Sequence, residues 1–213
     1  MDRTNNTIHI FDKYASKYLE KYKDLNQLSE TIDFFIQSIG SEEATILELA
    51  CGPGIITKYL ILKKPQSDIL AVDFSKKMIE MARKYCPEAE YKLMDCRELN
   101  KIKGTYDAII CGFLLPYLDK EETTTLISDI ADLLKPQGVM YLSAIEGSYS
   151  SSGFSKSSDG GDDTLFMYYH QEDYLREYLI RNNFSILKMQ RLNSNNPTEV
   201  PTRDLVIVSR KNE

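Results

Sequence analysis

The chain has 213 residues, of which 42% are hydrophobic and 27% are charged, and this is enough for one domain with a sizeable core. The net charge of −6 argues against a general nucleic-acid-binding surface, because such surfaces normally carry an excess of basic residues. No apolar stretch approaches the roughly 18 residues of a membrane span and no signal peptide is evident, so we expect a cytoplasmic protein without a membrane partner.

Two amphipathic helices are predicted before the first strand. Apolar and aromatic residues recur at steps of three and four from Ile8 to Tyr22, and a second helix is predicted over 29–39. Tyr14, Tyr18 and Tyr22 fall on one face of the first helix. Such a face commonly packs against the rest of the domain.

A short apolar run, 45–49, contains the acidic Glu48 and leads into a turn with Gly52 and Gly54. Glycine permits a positive φ and a close approach of the backbone to a ligand. A second apolar run, 68–72, ends at Asp73, whose carboxylate can accept hydrogen bonds from the hydroxyls of a ribose. This pattern of strand, glycine turn and helix predicts a site for a nucleotide-like ligand.

Strands and helices alternate through the middle of the chain. The predicted strands are 45–49, 68–72, 89–93, 106–111 and 138–144, and the predicted helices are 55–63, 75–84 and 121–134. Such alternation predicts an α/β fold with a parallel sheet and helices on both faces.

The last third of the chain is expected to close the sheet. The low-complexity segment 147–163 is predicted to be a mobile loop with little buried surface, and a helix is predicted over 171–182. Two final strands, 184–190 and 204–208, are predicted to form an antiparallel pair.

Five segments resemble the motifs of the class I S-adenosylmethionine-dependent methyltransferases, in the order of that family. They are Glu48–Gly54, Val72–Ser75, Met94–Cys96, Tyr106–Cys111 and Leu133–Val139. The resemblance implies a Rossmann-like, seven-stranded, mostly parallel sheet with helices on both faces and a C-terminal antiparallel hairpin. It also implies S-adenosylmethionine as the cofactor and methyl transfer to a small-molecule substrate as the activity.

The resemblance further implies a single methyltransferase domain over 1–213. Residues 1–40 would form an N-terminal helical lid, 41–145 the cofactor-binding core, and 146–213 an acceptor-site loop with the hairpin that closes the sheet.

The same resemblance implies cofactor-binding roles around the glycine turn. Glu48 would contact the cofactor's amino group, Gly52 and Gly54 would contact it through the backbone, and Asp73 would bind the ribose. Ala50 stands where the family often has its first glycine, which leaves less room at the turn.

Further cofactor contacts are implied beyond the turn. Phe74 would flank the adenine, Asp95 would accept from the adenine amino group, and Cys96 would meet the ring through its backbone N–H. The carbonyl groups near Cys111 would meet the cofactor's amino group. Tyr14 and Tyr18 would cover the cofactor as part of the lid, while Tyr22 is expected to pack or face solvent.

Candidate acceptor residues follow the fourth strand. Phe113, Leu114 and Tyr117 are predicted to wall the acceptor pocket, with core packing as the alternative interpretation. His170 is a candidate general base for deprotonating the acceptor. The alternative for His170 is a partly exposed histidine at the start of a helix.

No metal site is predicted. The four cysteines, Cys51, Cys86, Cys96 and Cys111, contain no CxxC pair, so a zinc site has little support. We expect free thiols in a reducing compartment.

Two other functions remain open from the sequence. A NAD(P)-dependent oxidoreductase would share the strand, turn and Asp73, but Thr57 stands where its pattern requires a third glycine. A non-catalytic cofactor-binding module with the same fold is the second alternative, and Ala50 favours it slightly. The methylated atom of the acceptor and the oligomeric state stay undetermined.

Overall fold

The computed structural model describes residues 3–25, 28–156, 163–193 and 202–213. Nine strands lie in these ranges: β1 (Thr45–Leu49), β2 (Asp68–Asp73), β3 (Glu90–Leu93), β4 (Tyr106–Cys111), β5 (Leu134–Glu146), β6 (Gly153–Lys156), β7 (Thr164–Met167), β8 (Phe184–Asn193) and β9 (Arg203–Lys211). Six α-helices accompany them: α1 (Arg3–Tyr22), α2 (Leu28–Ser38), α3 (Ile55–Lys63), α4 (Lys76–Tyr85), α5 (Lys120–Leu133) and α6 (Glu172–Arg181).

Seven strands form one sheet in the order β3-β2-β1-β4-β5-β9-β8. The first five pair in parallel, whereas β9 runs antiparallel to both β5 and β8. The predicted fold class, a mostly parallel Rossmann-like sheet with a C-terminal antiparallel hairpin, is therefore confirmed.

Helices cover both faces of the sheet because neighbouring residues of each buried strand point to opposite sides. On one face, α2 and α3 pack through residues such as Phe35 and Leu60 against Ile46 of β1. On the other face, α5 and α6 pack against Leu47 through residues that include Ile127. This arrangement leaves the carboxyl ends of the parallel strands open for a site.

Side chains cap the N-termini of α4 and α5. The Ser75 hydroxyl accepts a hydrogen bond of 3.0 Å from the backbone N–H of Met78, which confirms the predicted start of α4. Asp119 and Glu122 form a reciprocal capping box that fixes the start of α5.

Several predicted boundaries differ from the structure. Helix α1 begins at Arg3 rather than near Ile8, and β5 begins at Leu134, with Gln137 in the left-handed region at φ 64° inside it. The segment 147–163 is not a plain loop, because its strand β6 pairs with β7 in a two-stranded sheet. Residues 157–162 of that segment lie outside the described residues. Within the described ranges, no helix is both long enough and apolar enough to cross a membrane.

Candidate functional site

A cavity of about 710 Å³ lies at the carboxyl ends of β1, β2 and β4. Strand order reverses between β1 and β4, and ligands of open α/β sheets bind at such a switch point. Helix α1 and the segment after β7 also line the cavity. The predicted residues on its wall are Tyr18, Ala50, Gly52, Asp73, Phe74, Asp95, Cys96, Phe113 and Tyr117.

The turn after β1 adopts a left-handed backbone at three positions. Ala50 and Gly52 both have φ 55° and line the cavity, so the alanine fits at the place of the family's first glycine. Gly54, with φ 88°, is buried and is absent from the cavity wall. A Cβ atom on Gly54 would lie 3.2 Å from the Cβ of Ala82 in α4. This glycine allows close helix packing, and its predicted ligand contact stays a prediction.

Asp73 is the buried acid of the cavity. One carboxylate oxygen accepts from the backbone N–H of Gly52 at 2.9 Å, and the other accepts from that of Ser75 at 2.8 Å. Burial raises the pKa of Asp73 to about 6, against the lowering effect of these backbone hydrogen bonds. Each carboxylate oxygen keeps further acceptor capacity, which is available to hydroxyl groups in the cavity.

Aromatic rings form one side of the cavity. The ring of Phe11 meets Tyr117 edge-on with centroids 5.2 Å apart, and it lies 6.5 Å from the ring of Phe74. The ring centroid of Tyr18 lies 6.1 Å from that of Phe11 and 4.6 Å from that of Tyr22, whose ring is tilted against it. Helix α1 thus faces the cavity through Phe11 and Tyr18, as the amphipathic pattern predicts.

Tyr14 does not lie on the cavity wall. Its hydroxyl donates to Asp163 at 2.7 Å, and the ammonium of Lys13 donates to the same carboxylate at 2.6 Å. The cofactor contact of Tyr14 therefore stays a prediction. Four residues separate Tyr14 from Tyr18, which is slightly more than one helical turn, and only Tyr18 reaches the cavity.

Asp95 and Cys96 line the cavity where the chain leaves β3. Burial acts to raise the pKa of Asp95, but hydrogen bonds from Arg97 outweigh it and leave that pKa lowered. Arg97 donates to both carboxylate oxygens of Asp95 and also to Glu122 at 3.0 Å. Burial raises the pKa of the Cys96 thiol, so this cysteine is uncharged at neutral pH.

The residues at the end of β4 differ in their access to the cavity. Cys111 is fully buried in the core and is absent from the cavity wall, whereas Gly112 and Phe113 line it. Phe113 has φ 58°, and its backbone N–H donates to the Ser143 hydroxyl at 2.7 Å. The contact of the carbonyl groups near Cys111 with a cofactor amino group stays a prediction, and Gly112 and Phe113 are the residues of this segment on the cavity wall.

Glu48 lies beneath the glycine turn and not on the cavity wall. Its side chain is buried and accepts a hydrogen bond of 2.6 Å from the hydroxyl of Thr57, which is also buried. Burial raises the pKa of Glu48 to about 8, against the lowering effect of Thr57. In this structure Glu48 supports the turn through Thr57, and its predicted contact with a cofactor amino group stays a prediction.

Replacement of Glu48 by glutamine should raise the free energy of unfolding by about 2 kcal/mol near pH 8. Between the unfolded pKa of about 4.5 and the folded pKa of about 8, the folded protein holds a proton that the unfolded chain releases. Stability from this group is therefore present at low pH and is lost as the pH rises through that window. Glutamine stays neutral and can still accept from Thr57.

The measurement is denaturant unfolding at about pH 5 and about pH 8 for both proteins. The exposed Glu90, replaced by glutamine, is the control and should follow the wild-type pH dependence. The prediction would be contradicted if the free energy of unfolding changed with pH equally in Glu48→Gln and in the wild type.

His170 is completely buried and does not reach the cavity. Its Nε2 donates to the backbone carbonyl of Leu115 at 2.8 Å, and its Nδ1 accepts from the hydroxyl of Tyr174. Burial lowers the pKa of His170, which keeps the imidazole neutral. Both ring nitrogens are thus occupied, and the role of His170 as a general base stays a prediction. In this structure His170 joins the segment after β7 to the 3₁₀-helix Leu115–Tyr117.

The sequence interpretation missed several residues of the cavity wall. Helix α1 contributes Arg3, Thr4 and Thr7 at its N-terminal end, and the segment after β6 contributes Phe166 and Tyr168. The remaining missed residues are Phe11, Met78, Met94, Arg97, Leu118, Asp119 and Glu122. Among the described residues, no group of three His, Cys, Asp or Glu side chains could hold a metal ion.

Comparisons with known proteins agree with this geometry. Residues 46–138 match a family model described as a methyltransferase domain. The chain is 36% identical over 144 residues to a malonyl-[acyl-carrier protein] O-methyltransferase of Priestia megaterium, covering 66% of this chain and 49% of that protein. The chain therefore spans about half the length of that relative.

Two further similarities cover more of the chain. A tRNA N(3)-methylcytidine methyltransferase of Schizosaccharomyces pombe is 24% identical over 203 residues, covering 86% of this chain and 82% of that protein. The crystal structure of magnesium protoporphyrin IX methyltransferase from Synechocystis PCC 6803 with bound SAM has the same fold. Its TM-score is 0.66 at 19% identity, with 99% of this chain and 98% of that chain covered.

The motif order, the switch-point cavity, the matching family model and the shared fold lead to one assignment. The chain belongs to the class I S-adenosylmethionine-dependent methyltransferase family.

Proposed function

We propose that this protein is an enzyme that binds S-adenosylmethionine in the switch-point cavity and transfers a methyl group to a small-molecule acceptor. The observation that carries the proposal is Asp73, a buried carboxylate on the cavity wall whose two oxygens are oriented by the N–H groups of Gly52 and Ser75. A preoriented carboxylate at the end of the second strand is suited to the two hydroxyls of a ribose.

The wall around Asp73 fits the other parts of the cofactor. The ring of Phe74 would flank the adenine, with Asp95 and the backbone of Cys96 at its polar edge. Gly52 would allow close backbone contact, and Tyr18 would cover the site from α1. The bound cofactor supplies an activated methyl group, and the chain's own residues bind and orient the two reactants.

The roles of the segments follow from this assignment. Residues 1–40 would act as the lid, 41–145 as the cofactor-binding core, and 146–213 as the acceptor-site and sheet-closing part of a single domain over 1–213. The contact of α1 with the cavity through Phe11 and Tyr18 supports the lid, and Phe166 and Tyr168 support the acceptor side.

Several observations support a small-molecule acceptor. The cavity volume of about 710 Å³ lies within the range of small-molecule sites, and the apolar Phe113 and Tyr117 lie on its wall. The net charge of −6 disfavours RNA or DNA, although one relative is named for tRNA methylation. The four cysteines are free, which is consistent with the predicted cytoplasmic location.

A NAD(P)-dependent oxidoreductase is not favoured. Thr57 occupies the place of the third glycine of the dinucleotide pattern, and its buried hydroxyl is committed to Glu48. A non-catalytic cofactor-binding module would share every cofactor contact and would differ only in giving no methylated product.

Isothermal titration with S-adenosylhomocysteine tests the proposal directly, with NAD as the comparison ligand. We expect S-adenosylhomocysteine to bind with a dissociation constant below about 1 mM and NAD to give no measurable heat. Binding of NAD in preference to S-adenosylhomocysteine would assign the cavity to the oxidoreductase class, and absence of both would remove the proposed function.

A further inference from the structure

We propose that Arg3 binds a carboxylate group of the methyl acceptor and so selects carboxylic acids with an apolar body. This inference rests on the proposed function, because it assigns the acceptor side of the same cavity. It follows from the environment of Arg3, from the aromatic surface beside it and from the titratable groups on the cavity wall.

The guanidinium of Arg3 is held in place by neutral groups. Its Nη1 donates to the hydroxyl of Tyr168 at 2.8 Å, and its central carbon lies 4.0 Å above the ring centroid of Phe166. No carboxylate in the described part of the chain forms an ion pair with it. A guanidinium has five N–H donors in a planar fork, which matches a carboxylate in geometry and charge.

Arg97 provides the internal comparison. It also lines the cavity, but it lies 2.7 Å from a carboxylate oxygen of Asp95 and 3.0 Å from one of Glu122. The charge of Arg97 is thus compensated within the protein. Of the two arginines on the described cavity wall, Arg3 is the one with a positive charge left for a ligand.

Arg3 stands at the end of the cavity away from the glycine turn. The ring of Tyr18 lies 3.9 Å from the position that a Cβ atom on Gly52 would occupy. Fifteen positions of α1 separate Tyr18 from Arg3, which corresponds to about 22 Å along the helix axis. The residues assigned to the ribose and to the turn are therefore at the opposite end from Arg3.

An aromatic surface continues from Arg3. The rings of Phe166 and Tyr168 lie 4.9 Å apart, Tyr149 stacks on Tyr168 at 6.1 Å, and Phe154 meets Phe166 edge-on at 5.2 Å. Phe154 is 66% exposed, which is unusual for a large apolar side chain in a cluster. This surface can receive an apolar body attached to the carboxylate.

The chemistry of the cavity wall agrees with an acidic acceptor. The chain has two histidines, His9 and His170, and neither lines the cavity. Asp95 is paired with Arg97, and the Cys96 thiol is uncharged. A carboxylic acid is ionised at neutral pH, so such an acceptor needs no histidine on the cavity wall to deprotonate it.

The test uses the protein saturated with S-adenosylhomocysteine and two probes of equal size, phenylacetate and phenylacetamide. We expect phenylacetate to bind at least about tenfold tighter in calorimetry at constant ionic strength. Arg3→Gln should remove this preference and leave the affinity for S-adenosylhomocysteine and the melting temperature unchanged. Arg181→Gln, at an exposed arginine of α6 outside the cavity, is the matched control and should keep the preference.

Several outcomes would overturn the inference. They are absence of phenylacetate binding, equal affinity for both probes, and a preference that survives Arg3→Gln. Tighter binding of phenyl phosphate than of phenylacetate would assign the site to phosphate. A loss of affinity for S-adenosylhomocysteine in Arg3→Gln would assign the arginine to the cofactor. Because binding of S-adenosylhomocysteine is measured first, failure of the proposed function is distinguished from failure of this inference.

Discussion

Replacement of Asp73 by alanine is expected to lower the affinity for S-adenosylhomocysteine by about 100-fold. Hydrogen bonds to an ionised carboxylate contribute about 1.5–3 kcal/mol each, so the loss of two ribose contacts amounts to about 3 kcal/mol. The same change removes the acceptor of the Gly52 and Ser75 N–H groups, which are 2.9 Å and 2.8 Å from the carboxylate oxygens. Calorimetric titration of both proteins measures the effect.

Asp68→Ala is the matched control for this prediction. Asp68 lies at the other end of the same strand, is exposed and is remote from the cavity, so its loss should leave the affinity unchanged. Asp73→Asn keeps the side-chain volume and separates lost charge from lost packing. An affinity within about threefold of the wild type for Asp73→Ala, in a protein that melts normally, would remove Asp73 from the cofactor site.

The raised pKa of Asp73 also gives the binding a pH dependence. Burial raises this pKa to about 6, and the ribose hydroxyls donate to the ionised form. Protons and ligand therefore compete, and the affinity should fall by about tenfold between about pH 7 and about pH 5. Asp73→Asn should bind weakly with little pH dependence over the same range, and an equal decline in both proteins would assign the effect to another group.

The strands of the main sheet could be predicted because each is marked by a pattern among neighbouring residues of the sequence. Runs such as 68–72 are apolar throughout, as expected for strands covered on both faces, and each is followed by a helical pattern. Strand β6 was missed because Gly153–Lys156 contains one apolar residue, so it shows no alternation of apolar and polar side chains that would mark a strand.

Residues of the cavity wall could be predicted where they lie at the carboxyl end of a strand or just after it. Asp73, Phe74 and Phe113 lie at strand ends, and parallel strands bring their carboxyl ends to one edge of the sheet. Glu48 precedes the end of its strand by one residue. Its side chain therefore points to the opposite face from that of Leu49, and it is buried beneath the turn.

For the other residues, contacts between parts of the chain that are far apart in sequence determine whether a side chain reaches the cavity. His170 and Tyr14 have suitable side chains, but their hydrogen bonds to Leu115 and Asp163 hold them away from the cavity. Arg3 reaches the cavity because α1 extends beyond its apolar pattern and packs near β7. No periodic signal marks such a contact, since it joins residues 165 positions apart in the chain.

Gly54→Ala is expected to destabilise the protein by about 3 kcal/mol. Gly54 has φ 88°, a left-handed conformation that costs an L-residue about 1–2 kcal/mol. The added Cβ would also lie 3.3 Å from the Cα of Ala82 and 3.3 Å from the hydroxyl of Tyr91. That hydroxyl donates to the Cys86 carbonyl at 2.8 Å, so it cannot move away without losing a buried hydrogen bond.

Two further variants separate backbone strain from crowding in denaturant unfolding. Gly104 has φ 92°, but a Cβ there would meet nothing within 4 Å, so Gly104→Ala should cost only about 1 kcal/mol. Ala82→Gly removes the atom nearest to the new Cβ, and the double variant should cost less than the sum of the single variants. Equal costs for Gly54→Ala and Gly104→Ala would show that crowding contributes nothing. In that case the glycine would be required by the conformation of the turn and not by the packing of α3 on α4.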